Sequence, residues 1–205
     1  ARTEGYEIIN KIVNKKKIKN ILYISPPDMH AENFSLNKAQ NYNYWNYAPY
    51  GLGVLAANLS DKYYKNYILN LNHFILKEAN LFKGKNFPFD TLVSTKLKST
   101  IEEFKPDFIV ITCMFSQTHK SLQNVVEIIK KKSPSSLIAI GGVHVTNALV
   151  DSKTSVNFIK ELKDVDFYFL YEGDNTLPNF INFVNGKLLK NEYLPSQLFV
   201  KNKNI

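Results

Sequence analysis

Five short apolar runs, separated by residues in helical period, constrain this chain more than any other feature. The runs span residues 21–25 (ILYIS), 67–71 (YILNL), 108–115 (FIVITCMF), 137–140 (LIAI) and 165–170 (VDFYFL). The first is apolar on both faces and the third nearly throughout, which marks buried strands of a parallel sheet. Between the runs lie helical stripes. Leu52, Leu55, Ala56 and Leu59 face one way after Pro49 and Gly51. Val93, Leu97, Ile101 and Phe104 form a second stripe, and Leu122, Val125, Val126 and Ile129 a third. The third ends in lysines 130–132, whose charge suits a helix C-terminus, and Pro134 stops it. A further helix is expected over 155–162. A last one starts near Pro178, capped by Asp174, Asn175 or Thr176, with Phe180, Phe183 and Val184 as its apolar side.

Strand and helix alternating five times predict an α/β, doubly wound domain of Rossmann or flavodoxin type. It has a five-stranded parallel sheet, right-handed crossovers and helices on both faces. The domain is placed at residues 20–186. Residues 1–19 form a lead-in with a short helix over 4–14, its Tyr6, Ile9 and Val13 on one side. Residues 187–205 form a trailing segment with an apolar stretch at 198–200 and no helix to complete another unit.

A length of 205 residues suits one domain with extensions. Twenty-six basic against eighteen acidic residues give a net charge of +8, but the lysine runs at 15–17 and 130–132 read as solvated faces. Arg2 is the sole arginine, and no aromatic-and-arginine pattern accompanies the lysines, so nucleic acid is not the expected partner. RNA binding through the basic surface stands as a weaker alternative. No apolar stretch has the length of a membrane span, and residues 1–20 lack a signal-peptide core. Cys113 is the only cysteine. That excludes a disulfide framework and a cysteine-held iron–sulfur cluster within this chain, and it points to a reducing, cytoplasmic setting.

In open α/β sheets ligands sit beyond the carboxyl ends of the strands. Four loops meet there: 25–28, 113–118, 141–146 and 171–175. Gly141-Gly142 fits either close approach to something large and flat or a tight strand-to-helix turn. Ser116 and Thr118 either cap a helix or hold a polar part of a ligand. Glu172-Gly173-Asp174 is a ligand-facing turn or simply a helix start. His30, His73, His119 and His144 have no metal-type spacing, although in Asp28-Met29-His30 an acid could orient a metal-bound imidazole. Cys113 reads as a small core residue. The long loop 28–50 carries Tyr42, Tyr44, Trp45, Tyr47 and Tyr50, which suit either a contact surface or a lid packed on its own domain. There is no G-x-S-x-G, P-loop, H-E-x-x-H or G-x-G-x-x-G, so the residue chemistry is that of a binding domain.

The order of motifs is distinctive. A strand enters Pro26-Pro27, and a long loop reaches Pro49-Tyr50-Gly51-Leu52-Gly53 before Leu55-Ala56-Ala57-Asn58-Leu59. Then follow Pro106-Asp107-Phe108, Ile140-Gly141-Gly142-Val143-His144, and Asp166-Phe167-Tyr168-Phe169 running into Glu172-Gly173-Asp174. Over residues 20–185 this series resembles the N-terminal cobalamin-binding domain of radical S-adenosylmethionine (SAM) enzymes. The resemblance implies cobalamin held by Pro27, Phe115, Ser116, Thr118, Gly141, Gly142, Val143, His144, Glu172 and Gly173. It also implies a partner: a radical SAM catalytic domain in the same or another chain. The three-cysteine cluster motif of such a domain is absent, so the chain is either one part of a larger protein or a stand-alone relative. Classical cobalamin carriers place a cobalt-ligating histidine in Asp-x-His-x-x-Gly. Here His30 takes that place, but Asn33 stands at the glycine position. A cofactor-free scaffold or recognition domain is the alternative expectation.

Overall fold

A computed structural model describes residues 2–188 and 198–200. Five strands lie parallel in the order β2-β1-β3-β4-β5: β1 Asn20–Ser25, β2 Lys65–Asn70, β3 Phe108–Thr112, β4 Leu137–Gly141 and β5 Phe167–Phe169. This is the flavodoxin-type order, with its switch point between β1 and β3. A sixth strand, β6 Leu198–Val200, pairs antiparallel with β5, so the apolar stretch of the trailing segment extends the sheet edge.

The period of two along each strand sorts side chains between two cores. Leu22 and Ile24, Ile109 and Ile111, and Ile138 and Ile140 point to one face. That face is covered by α4 (Leu71–Leu81), α5 (Phe89–Phe104), α6 (His119–Lys132), α7 (Val143–Val150) and α8 (Ser155–Glu161). Ile21 and Tyr23, Phe108 and Val110, and Phe167 and Phe169 point to the other. There α1 (Arg2–Val13), α3 (Tyr50–Ala57) and α9 (Thr176–Val184) pack. Tyr6, Ile9 and Val13 are buried in this second core, and the Tyr6 ring lies 5.4 Å from Phe183 of α9. Asn185, just past α9, exchanges two hydrogen bonds with the main chain of Ile18. The lead-in is thus bound to the domain.

Three local expectations change. The second strand ends at Asn70, one residue earlier than its apolar run, because the Asn70 side chain accepts the His73 N–H at 2.9 Å and starts α4 directly. The third leaves the sheet after Thr112. There the Cys113 carbonyl accepts the His144 N–H at 3.2 Å instead of continuing a ladder. The loop 28–50 holds a 3₁₀ turn, Ala31–Asn33, and a short helix α2, Leu36–Gln40, capped by Ser35.

Candidate functional site

Beyond the carboxyl ends of β1, β3, β4 and β5 lies a cleft of about 470 Å³. Its floor is apolar: Val110 and Ile111 of β3, Phe169 of β5, Leu52 and Leu55 of α3, and Leu177 of α9. Ser25, Pro26 and Asp28 close one wall, and Met114, Phe115 and Thr118 another. Gly141 and Gly142 form a wall of bare backbone, and residues 171–174 form the rim. Tyr47, Pro49, Tyr50 and Gly51 overhang from the long loop and the start of α3.

Of the expected site residues, Phe115, Thr118, Gly141, Gly142, Glu172 and Gly173 line this cleft. Pro27 lines a smaller adjoining recess with Met29, Phe34 and Trp45. Ser116 and Val143 are exposed outside the cleft lining. His144 is turned toward His119, with Nε2 to Nδ1 at 3.2 Å, and His119 in turn meets Glu161 at 2.8 Å. Both imidazoles pack on Phe158, so this chain of polar groups joins α6, α7 and α8 beside the cleft. Burial, and then the His119 charge, hold the His144 pKa below its ordinary value. His30 also lies outside the cleft lining. Its Nδ1 accepts from the Glu32 N–H, and no bond links it to Asp28. Among the described residues no group of three histidines, cysteines or carboxylates could hold a metal ion.

Gly142 has φ of +112°, and a Cβ there would fall 2.5 Å from the Cys113 carbonyl oxygen. The glycine is required by the turn itself, since strand end and helix start press together here. A Cβ at Gly51, by contrast, would meet no atom within 4 Å, so the missing side chain leaves free space in the cleft. Thr118 does not cap α6; its hydroxyl donates to the Asp28 carbonyl at 3.5 Å. The carbonyls of Glu172, Gly173 and Asp174 are taken up by neighbouring elements of the domain. Glu172 accepts from Thr176, Gly173 from the Leu177 N–H, and Asp174 from Asn58 Nδ2. Tyr171 adopts φ of +58°, uncommon for a bulky residue, and its N–H donates to Thr146 Oγ1 at 2.8 Å. Burial pushes the Cys113 thiol up to about 12, and the nearby Asp28 charge adds to the rise, so this is an inert core thiol.

The sequence left several contributors unmarked. Asn72, buried at the start of α4, accepts the Asp28 N–H and donates to the Trp45 carbonyl at 3.0 Å. Asn70 reaches the Tyr47 carbonyl, and Asn46 meets His73. The aromatic loop is thereby stitched to α4 by its backbone. Tyr44 stacks inward on Phe34, whereas Trp45 and Tyr47 stack on each other, 71% and 68% exposed. The only sequence signal for the clamp was three polar residues within 70–73, where an apolar run should have continued.

The family model of the B12 binding domain matches residues 46–181, more than half of the chain. The chain belongs to the B12 binding domain family. The match runs from the overhanging aromatic loop through α3, the two glycines and the 171–174 rim into α9, so it spans most of the cleft. β1 and the Asp28–His30 stretch of this B12 binding domain lie before it. No curated protein matches the chain. Among the described residues no helix is long and apolar enough to cross a membrane.

Proposed function

We propose that this chain binds cobalamin in the cleft at the strand ends and presents it to a radical SAM catalytic domain in the same or another chain. The supporting observation is a coincidence: the family match and the apolar-floored cleft at the strand ends share α3, Gly141-Gly142 and the 171–174 rim. The fit is chemical as well. Cobalamin is a broad macrocycle edged with amides and carrying a nucleotide tail. A 470 Å³ cleft is of ordinary ligand-pocket size and takes part of such a molecule, while the exposed Tyr47, Tyr50, Met114 and Phe115 flank the remainder. Leu52, Leu55, Phe169 and Leu177 would hold the buried portion, and bare backbone at Gly51 and Gly141-Gly142 admits close approach. Among the described residues no lysine, arginine or histidine lines the cleft, which disfavours a dinucleotide, whose pyrophosphate asks for cationic or N–H-rich cradles. When bound, the cobalt supplies alkyl-transfer or redox chemistry; the protein supplies placement and exclusion of water. His30 is outside the cleft lining, so this reading gives it no bond to cobalt.

The test is a titration with hydroxocobalamin followed by desalting. A retained visible spectrum is expected, and a colourless protein would refute the reading. The exposed stack of Trp45 and Tyr47 favours one second reading, a recognition surface for a partner. That reading would then stand alone.

A further inference from the structure

Asp28 is held by its main chain and free at its side chain. Pro26 and Pro27, each with a fixed φ, deliver it from β1. Its N–H donates to Asn72 Oδ1 at 3.1 Å, and its carbonyl accepts from Thr118 Oγ1. Its half-buried carboxylate lines both the main cleft and the adjoining recess. No hydrogen bond or ion pair to that carboxylate occurs among the described residues. Several other aspartates of the domain are satisfied. Asp107 accepts the Lys19 and Asn20 N–H groups, Asp166 accepts that of Ile138, and Asp151 that of Lys153.

A half-buried carboxylate that no protein donor meets keeps its water, and a ligand filling the cleft would displace that water and must supply a donor in its place. Burial accordingly raises the Asp28 pKa. In a chain of net charge +8 no cation among the described residues lines the cleft to neutralise it, and the other carboxylates there are Glu172 and Asp174. The missing partner is therefore a hydrogen-bond donor on the ligand, and one that is not anionic. Resting on the corrinoid reading above, we infer that Asp28 accepts a hydrogen bond from a primary amide on the corrin rim and so selects corrinoids whose amide at that position is intact. A carboxylate in place of that amide would lose the donor and face the Asp28 charge in a poorly screened cleft, so rejection is built from repulsion as well as from a lost contact. The assignment also gives Asp28 a role independent of His30, which it does not touch.

The experiment measures dissociation constants by visible absorbance for wild type, Asp28→Asn and Asp28→Ala. The probes are hydroxocobalamin and each of its separated monocarboxylic acids, in which one peripheral amide is hydrolysed. Asp28→Asn keeps the shape and both main-chain bonds, so its fold is expected to hold. One monocarboxylic acid should bind wild type at least about tenfold more weakly than hydroxocobalamin, the effect of one hydrogen bond to a charged group. Asp28→Asn should largely close that gap, and Asp28→Ala should weaken hydroxocobalamin itself by about tenfold. Equal binding of every monocarboxylic acid to wild type, or unchanged binding by both variants, would overturn the role of Asp28 while leaving the corrinoid reading intact. Failure of wild type to bind hydroxocobalamin would overturn the corrinoid reading, and this inference with it.

Discussion

Three glycines of the cleft should respond oppositely to the same added methyl group. Gly142 combines φ of +112° with ψ of 171°, a region essentially reserved for glycine, and placing alanine there costs about 1–3 kcal/mol in backbone strain. The new Cβ would also meet the Cys113 carbonyl oxygen at 2.5 Å and its carbon at 2.9 Å. Those atoms are main chain, tied to Gly141 through the Cys113 N–H and to His144 through the carbonyl, so they yield only by moving the β3–α6 and β4–α7 turns together. Such overpacking adds about 1–3 kcal/mol. Gly142→Ala should thus lose about 2–6 kcal/mol, which lowers the urea midpoint by at least about 1 M at a typical slope of about 2 kcal/mol/M. Gly141 lacks a positive φ, and its Cβ would sit 3.3 Å from the Phe169 carbonyl oxygen; Gly141→Ala should cost about 1 kcal/mol or less. Gly51, in the first turn of α3, has open space, and alanine is the better helix former by about 0.5–1 kcal/mol. Gly51→Ala should leave the midpoint unchanged or raised while weakening hydroxocobalamin, because its methyl enters the cleft. Denaturation curves and cobalamin titrations of all three variants decide the matter. A Gly142→Ala midpoint equal to that of Gly141→Ala would refute the claim that packing against Cys113 fixes the glycine.

Other consequences are quicker to check. Cys113, buried with its pKa near 12, should not react with an aromatic disulfide reagent at pH 8 until urea unfolds the chain, when one thiol per chain appears; labelling of the folded protein would contradict that burial. His144 has a folded pKa below its ordinary 6.5, so the native state binds this proton less readily than the unfolded one. Its contribution is complete above pH 6.5 and is lost as pH falls through the lowered value, and His144→Gln should flatten the urea midpoint between pH 7.5 and 5. Asn72→Ala removes the bond to Asp28 and the bond to Trp45, and leaves buried groups unpaired. A loss of about 1–3 kcal/mol is expected, with faster proteolysis within residues 42–50.

The parallel sheet was legible because strands buried on both faces are apolar throughout, and β1, β3 and β4 have that character. α4 was not, because its first residue, Leu71, prolongs the apolar run of β2; only the Asn70 cap separates strand from helix, and a cap is a geometry rather than a composition. α7 was hidden similarly. The turn at Gly142 starts it without a side-chain cap, and its His144 N–H donates to the main-chain carbonyl of Cys113, just past β3 and with the whole of α6 and β4 between. β6 could not be seen because three apolar residues say nothing about which edge they join.

The site shows the same division more sharply. Gly141-Gly142 and the 171–174 turn were found because glycine and turn residues advertise special backbone. Within Asp28-Met29-His30 the histidine drew notice for its chemistry and the aspartate only as its orienting acid, yet the structure brings the aspartate to the cleft. What separates them is not their residue types but the clamp below them. Two prolines set the chain direction, and Asn72 and Thr118, from different elements, grip the Asp28 main chain from either side. Two residues on, His30 is free to turn back onto the 3₁₀ turn and accept the Glu32 N–H. An Asn72→Leu variant therefore probes more than stability. If the clamp is what aims Asp28, this near-isosteric change should reduce discrimination between hydroxocobalamin and the disfavoured monocarboxylic acid as much as Asp28→Asn does, although the carboxylate remains. If discrimination survives intact, Asp28 is oriented by the proline turn alone, and Asn72 serves only to anchor the aromatic loop.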